Sequence, residues 1–194
     1  MIVLASKSAS RRAMLEAADI AFECRPADVD ERALEATLGA AAPADVALAL
    51  AVAKAESVSR ETPGALVLGS DSLVVCDGRR FDKPGSREDA AAHLAWFSGR
   101  VMELHSGAAL VRDGEVLWAQ GTRADLHVAA LSGAFIERYL DAEWPEVAGC
   151  VGVFRIEARG VQLFERIEGD YFTILGMPLL KVQAALRELG VMEQ

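Results

Sequence analysis

Cysteine, histidine and net positive charge are all scarce in this chain, and each scarcity narrows what it can be. The three cysteines, Cys24, Cys76 and Cys150, lie far apart with no C-x-x-C spacing. An odd, scattered set fits a reducing compartment and argues against a disulfide framework or a cysteine zinc site. His93, His105 and His127 share no spacing with one another or with cysteine, so they read as structural. The 20 Lys plus Arg stand against 29 Asp plus Glu, a net charge of −9. Broad binding to nucleic acid or to an anionic membrane needs a basic field, and none exists here. No run of about 18 apolar residues is present to span a membrane, and no basic segment with a long apolar stretch opens the chain. A cytoplasmic protein is the simplest expectation. The familiar glycine motifs for phosphates and nucleophiles, Walker A, the dinucleotide pattern and G-x-S-x-G, are missing as well.

Apolar residues make up 52% of the 194 positions, enough for a sizeable core. No repeat, low-complexity tract or linker interrupts them, so one continuous domain over residues 1–194 is expected, with two lobes around a cleft. Ile2–Ala5 reads as a buried strand, and Met14, Leu15 and Ala18 mark one side of a following helix. Phe22–Arg25 reads as a short strand, followed by an Ala-rich stretch through Pro43 and a helix from Asp45 to about Arg60. The apolar run from Leu66 ends in a carboxylate, Asp71, and Leu73–Cys76 continues it to a hairpin turn at Asp77-Gly78. Ser86 caps a helix that Gly99 stops after Phe97. Two long strands, 101–111 and 116–129, flank a second turn at Asp113-Gly114. A helix over 132–142, a glycine-punctuated segment over 149–160, a strand over 163–167 and a terminal helix with Pro178 at its first position complete the chain. Strands alternating with helices, interrupted by hairpins, predict an α/β fold with a mixed sheet.

The chemistry is concentrated at the ends of strands. Ser6-Lys7-Ser8-Ala9-Ser10-Arg11-Arg12 stands at a strand-to-helix turn, where free N–H groups and the helix dipole favour an anion. The paired arginines add planar cationic forks suited to phosphate oxygens. Only four lysines occur, Lys7, Lys54, Lys83 and Lys181, in a chain otherwise biased to arginine. A retained lysine offers a compact point charge that a crowded phosphate site can use. Asp71 lies at a strand end, where ligands of α/β sheets sit, and Glu31 closes an acidic cluster after an earlier strand. Two such carboxylates can share a Mg²⁺ with phosphate and water, and one of them can deprotonate a water.

In order and spacing these blocks resemble the Maf family of nucleoside triphosphate pyrophosphatases. The matching text is L-A-S-K-S-A-S-R-R at 4–12, F-E-C at 22–24, V-D-E at 29–31, A-K-A at 53–55, G-S-D-S at 69–72, D-K-P at 82–84, L-A-W-F-S-G at 94–99 and I-E-G-D-Y-F-T-I-L-G-M-P-L at 167–179. The resemblance implies an inosine-triphosphatase-like elongated mixed sheet flanked by helices. It also implies hydrolysis of a nucleoside triphosphate to monophosphate and pyrophosphate with Mg²⁺ or Mn²⁺, as house-cleaning of the nucleotide pool, and it admits a homodimer. Carried over by position, Asp71 matches the family's general base, and Ser8, Arg12, Glu31, Lys54 and Lys83 match its polar active-site positions. Together with the reading of the residues, the expectation is that Asp71 and Glu31 hold the metal, that Asp71, Lys54 and Lys83 are catalytic, and that Ser8, Arg11 and Arg12 hold the substrate.

Base preference is where the text departs from the family. Its uridine/thymidine branch carries S-P-R-R and G-A-D-T, and its 7-methylguanosine branch carries S-P-W-R-R and S-D-Q. Ser10 and Ser72 fit neither. Small hydroxyl residues at both positions lead to the expectation of a roomy pocket with modest preferences among standard and modified triphosphates. Glu157, where the pyrimidine branch has glutamine, makes a 7-methyl-GTP-selective enzyme the alternative. A nucleotide-sensing or division-associated binding protein without catalysis is the second alternative.

Overall fold

The computed structural model describes residues 1–193. Its chain runs β1 (Ile2–Leu4), α1 (Ala9–Ala17), β2 (Phe22–Cys24), α2 (Glu31–Leu38), α3 (Pro43–Ser59), β3 (Val67–Cys76), β4 (Arg79–Phe81) and α4 (Arg87–Phe97). It continues with β5 (Val101–Arg112), β6 (Glu115–Val128), α5 (Gly133–Glu143), β7 (Phe164–Glu168), α6 (Tyr171–Ile174) and α7 (Leu179–Glu188). Two 3₁₀ turns, Glu146–Gly149 and Arg159–Leu163, occupy the glycine-punctuated segment. The strands form a mixed seven-stranded sheet in the order β2-β1-β3-β5-β6-β7, with β4 also paired to β3. The α/β mixed sheet is therefore the one expected. Among the described residues no helix is long and apolar enough to cross a membrane.

The chain divides into two compact units. The first is built from Met1–Ser72, His105–Thr122 and the C-terminal segment from Asp170. Here β1 pairs in parallel with both β2 and β3. Alternate side chains of a strand point to opposite faces. Ile2, Leu4, Leu66 and Leu68 accordingly join Met14 and Leu15 of α1 and Val182 and Leu186 of α7. Val3, Ala5 and Val67 pack instead with Ala55 and Val58 of α3. Both faces are covered, which is why these strands read as unbroken apolar runs rather than as alternating ones.

The helix α3 carries Pro43 at its start and Asp45 in its first turn, both favourable there. It sits unusually close to the sheet. A Cβ on Gly69 of β3 would lie 2.1 Å from the Ala51 carbonyl oxygen, and one on Gly107 of β5 would lie 2.7 Å from that of Ala47. Only residues without side chains fit beneath the helix at these two points.

The second unit comprises Leu73–Leu104 and Arg123–Gly169. Phe81 and Phe97 meet edge to face at 4.6 Å in its core. Arg87 of α4 bonds Glu137 and Asp141 of α5 at 2.8 and 2.6 Å. Glu143 is 2% exposed and accepts Nε and Nη2 of Arg155 at 3.1 and 2.9 Å, tying down the segment that follows α5.

Three local expectations are corrected. The Ala-rich stretch before Pro43 contains a helix, α2, capped by Asp30, whose Oδ1 accepts the Ala33 N–H at 3.0 Å. None of its residues is buried, so burial leaves little imprint on its pattern. Asp71 does not end a strand, because β3 runs through it to Cys76. It does lie beyond the register of β1, whose last pair with β3 is Leu4 with Leu68. Pro178 stands one place earlier than expected, as the cap of α7.

Gly69→Ala should cost at least about 1–3 kcal/mol, since the new methyl meets backbone rather than a movable side chain. Gly133→Ala, with nothing within 4 Å of its Cβ, should change stability by less than about 1 kcal/mol. Urea unfolding of both variants checks the difference.

Candidate functional site

Three of the predicted polar residues converge in the first unit. Lys54 stands on α3, and its Nζ lies 2.5 Å from Asp71 Oδ1 and 2.8 Å from Glu31 Oε1. Lys54 and Asp71 are largely buried, at 13% and 11% side-chain exposure, while Glu31 is half exposed at 47%. Asp71 comes from β3 and Glu31 from the first position of α2. Three elements far apart in sequence thus deliver two carboxylates to one ammonium.

The turn at Ser8 has the geometry expected of it. Ser8 is the N-cap of α1, its Oγ accepting the Arg11 N–H at 3.4 Å, which leaves its own hydroxyl proton free to donate. No acidic residue occupies the first turn to compete with an anion. Ser10 is half-buried and Arg12 is exposed on the outer face of the helix.

Arg11 and Ser72 are placed differently from the substrate-facing roles expected of them. Arg11 is 9% exposed. Its Nε donates to the Gly176 carbonyl at 2.9 Å, Nη1 to Ser6 Oγ at 3.3 Å and Nη2 to Ser72 Oγ at 3.1 Å. Burial lowers its pKa, and the charges of Asp71 and Glu31 work against that loss. The periodicity of α1 carries the signal for this: residue 11 shares the stripe of Met14 and Leu15, three and four positions on, whereas residue 12 does not. Ser72 Oγ lies 3.0 Å from Ser106 Oγ and donates within 2.9 Å of the Gly176 carbonyl. Ser70, Thr173 and Gly176 stand inside the family-like blocks, but neither spacing nor residue type assigns them a role, and Ser106 carries no sequence signal at all.

Lys83 and Glu157 belong to the second unit. Both lie within the field of the Cys150 thiol. Burial raises its pKa first and the Glu157 carboxylate adds to the rise, while the charges of Arg155 and then Lys83 oppose it. Glu157 is exposed. Among the described residues no group of three or more His, Cys, Asp or Glu gathers to hold a metal by itself.

Comparison with known proteins covers nearly the whole chain. A family model described as Maf-like protein matches residues 1–189. A 7-methyl-GTP pyrophosphatase of Rhizobium meliloti is 49% identical over 100% of this chain and 98% of its own. One of the same name from Mesorhizobium japonicum is 50% identical over 99% and 98%. A nucleoside triphosphate pyrophosphatase of Nitrobacter hamburgensis is 44% identical over 98% and 95%.

The Cys150 neighbourhood can be probed without substrate. Iodoacetamide at pH 8 should label exposed Cys24 first, because buried Cys76 has its pKa raised to about 11 and Cys150 is shifted the same way. Glu157→Gln should speed Cys150 labelling a few-fold and Lys83→Met should slow it, as peptide mass spectrometry would read out.

Proposed function

We propose that this chain, which belongs to the Maf family of nucleoside triphosphate pyrophosphatases, acts on 7-methyl-GTP. The enzyme class follows from the family match and from the relatives. The observation that carries the catalytic reading is the Lys54 ammonium held between Asp71 and Glu31, one strand away from the α1 turn. Water attacks the α-phosphorus while its proton passes to the Asp71 carboxylate. The bond from that phosphorus to the α–β bridging oxygen breaks, releasing nucleoside monophosphate and pyrophosphate. Ser8 donates to a phosphate oxygen, and Arg12, Lys54 and Lys83 neutralise the chain of phosphates.

A divalent cation fits these residues on charge and donor chemistry. Arg11 and Lys54 already balance Asp71 and Glu31, so the site has no surplus charge of its own to meet a triphosphate. Asp71 and Glu31 supply hard oxygen donors, too few to close a coordination shell, as suits an ion that arrives with phosphate and water. Mg²⁺ or Mn²⁺ held there would supply charge neutralisation at the phosphates.

Base preference rests on different grounds. The roomy pocket expected from Ser10 and Ser72 loses half its basis, because the Ser72 hydroxyl is engaged by Arg11, Ser106 and Gly176. The names of two relatives at 49% and 50% identity support 7-methyl-GTP. Exposed Glu157 offers a carboxylate that can accept from the N1–H and amino group of guanine and complement its cationic, methylated ring.

One panel tests these roles: kcat/KM for 7-methyl-GTP, GTP, UTP, TTP and CTP with Mg²⁺, with pyrophosphate and orthophosphate both measured. The expected result is pyrophosphate release, best with 7-methyl-GTP by more than about tenfold; equal rates across bases would remove the proposed selectivity. Asp71→Asn should lower kcat by at least about 10²–10³-fold, and near-wild-type turnover would remove Asp71 from the mechanism. Chelation by EDTA should abolish turnover and added Mg²⁺ restore it. In Glu157→Gln the 7-methyl-GTP over GTP ratio should shrink about fivefold, the worth of an exposed charge contact.

A further inference from the structure

The guanidinium of Arg11 spends its hydrogen bonds on neutral oxygens, and the hydroxyls beyond it form a connected network. Ser106 Oγ donates to the Thr173 carbonyl at 2.9 Å. Its single proton is thereby used, so its lone pairs face Ser72, 3.0 Å away. Ser72 in turn accepts Arg11 Nη2 and has its own proton to share between Ser106 and Gly176. When that proton points to Ser106, the sense runs from Arg11 to Ser72 to Ser106 to the Thr173 carbonyl, each bond polarising the next; when it points to Gly176, it joins the bonds to that carbonyl.

A second set of bonds brackets Asp71. The hydroxyls of its two neighbours, Ser70 and Ser72, both donate to the Gly176 carbonyl, at 3.1 and 2.9 Å, and Arg11 Nε reaches the same oxygen at 2.9 Å. Ser70 and Thr173 are fully buried, Ser106 is 1% exposed and Asp71 is 7% exposed. Gly176 has φ +99°, and a Cβ there would stand 3.1 Å from Ser72 Oγ and 3.7 Å from the Arg11 guanidinium. Three donors thus meet at a carbonyl that only glycine presents. The Thr173 end is anchored as well, since its N–H and hydroxyl both donate to Asp170 Oδ2 at 3.0 and 3.1 Å.

We infer that Arg11 is a positioning residue that acts through Ser70-Asp71-Ser72 without touching the substrate, and that Ser72, Ser106 and the Gly176 and Thr173 carbonyls are the frame that holds it. The inference rests on the proposed role of Asp71 as the group that accepts the water proton. A strand bearing polar residues at 70, 71 and 72 would otherwise leave buried hydroxyls unpaired, and the frame pairs them while aiming the carboxylate between them. The guanidinium also sets a permanent positive charge within the field of Asp71 and Glu31. Arginine is required here because one planar fork must reach Gly176, Ser6 and Ser72 together, which a lysine ammonium cannot do.

The test separates positioning from phosphate contact by the split between kcat and KM. For Ser106→Ala, kcat should fall about five- to tenfold, the loss expected from one hydrogen bond, with KM within about twofold of wild type. Ser106→Cys, of similar size with a weaker donor, should recover part of that loss. Arg11→Lys keeps the charge and should lower kcat more than Ser106→Ala does, again at near-wild-type KM. A rise in KM with kcat preserved in Arg11→Lys would make Arg11 a substrate contact and overturn the inference, as would wild-type kinetics in Ser106→Ala. If the wild-type enzyme releases no pyrophosphate from any triphosphate, the failure belongs to the proposed function. Amide hydrogen exchange then decides the frame alone: faster exchange confined to residues 69–73 in Ser106→Ala supports it, and unchanged protection there overturns it.

Discussion

Gly69 and Gly107 let the backbone of α3 rest directly on β3 and β5, and the chemistry of the first unit depends on that seating. A Cβ at Gly69 would fall 2.7 Å from the Ala55 nitrogen, the residue next to Lys54. Lys54 is therefore carried on the stretch of helix that lies closest to the sheet. Were the helix lifted by a methyl group, the ammonium would withdraw from Asp71 on the strand beneath. The small residues on the buried side of α3, Ala47, Ala51, Ala55 and Ser59, serve the same end by keeping side-chain bulk out of the interface.

The second determinant is how charge is balanced in a poorly solvated place. Two carboxylates sharing one buried lysine would be left with excess negative charge. Arg11, held by neutral acceptors, supplies the opposing field. A buried guanidinium is tolerated because each of its three nitrogens donates a hydrogen bond and two acids lie within reach of its field. A site so balanced attracts a polyanion only where further cations are added. Arg12, exposed on the same helix, carries one such charge.

Much of this was legible in the sequence, for reasons that differ from residue to residue. The buried strands announced themselves because both faces of the sheet are covered, so Ile2–Leu4 and Leu66–Leu68 are apolar without alternation. Ser8 was legible as a cap, Asp77-Gly78 and Asp113-Gly114 as hairpin turns, and the order of the polar blocks as a family signature. The helix α2 was not, since no residue of it is buried. The burial of Arg11 lay within reach of helical periodicity, but a pair of adjacent arginines at an anion-binding turn reads first as a pair of phosphate ligands.

What the sequence by itself determined is the local alphabet: strands, caps, turns, an α/β architecture and a set of polar residues suited to phosphate chemistry. Those features follow from forces acting over a few residues, namely hydrophobic period, turn geometry and capping. Which residues meet was decided by tertiary structure alone. Glu31, Lys54 and Asp71 are joined only once α3 lies on the sheet, and Arg11 parts company with Arg12 only once α1 has a buried face. The convergence of Ser70, Ser72 and Arg11 on the Gly176 carbonyl, more than a hundred residues on for the serines, has no local cause. It exists because burial obliges each of those donors to find an acceptor, and the packed chain leaves that one carbonyl within reach.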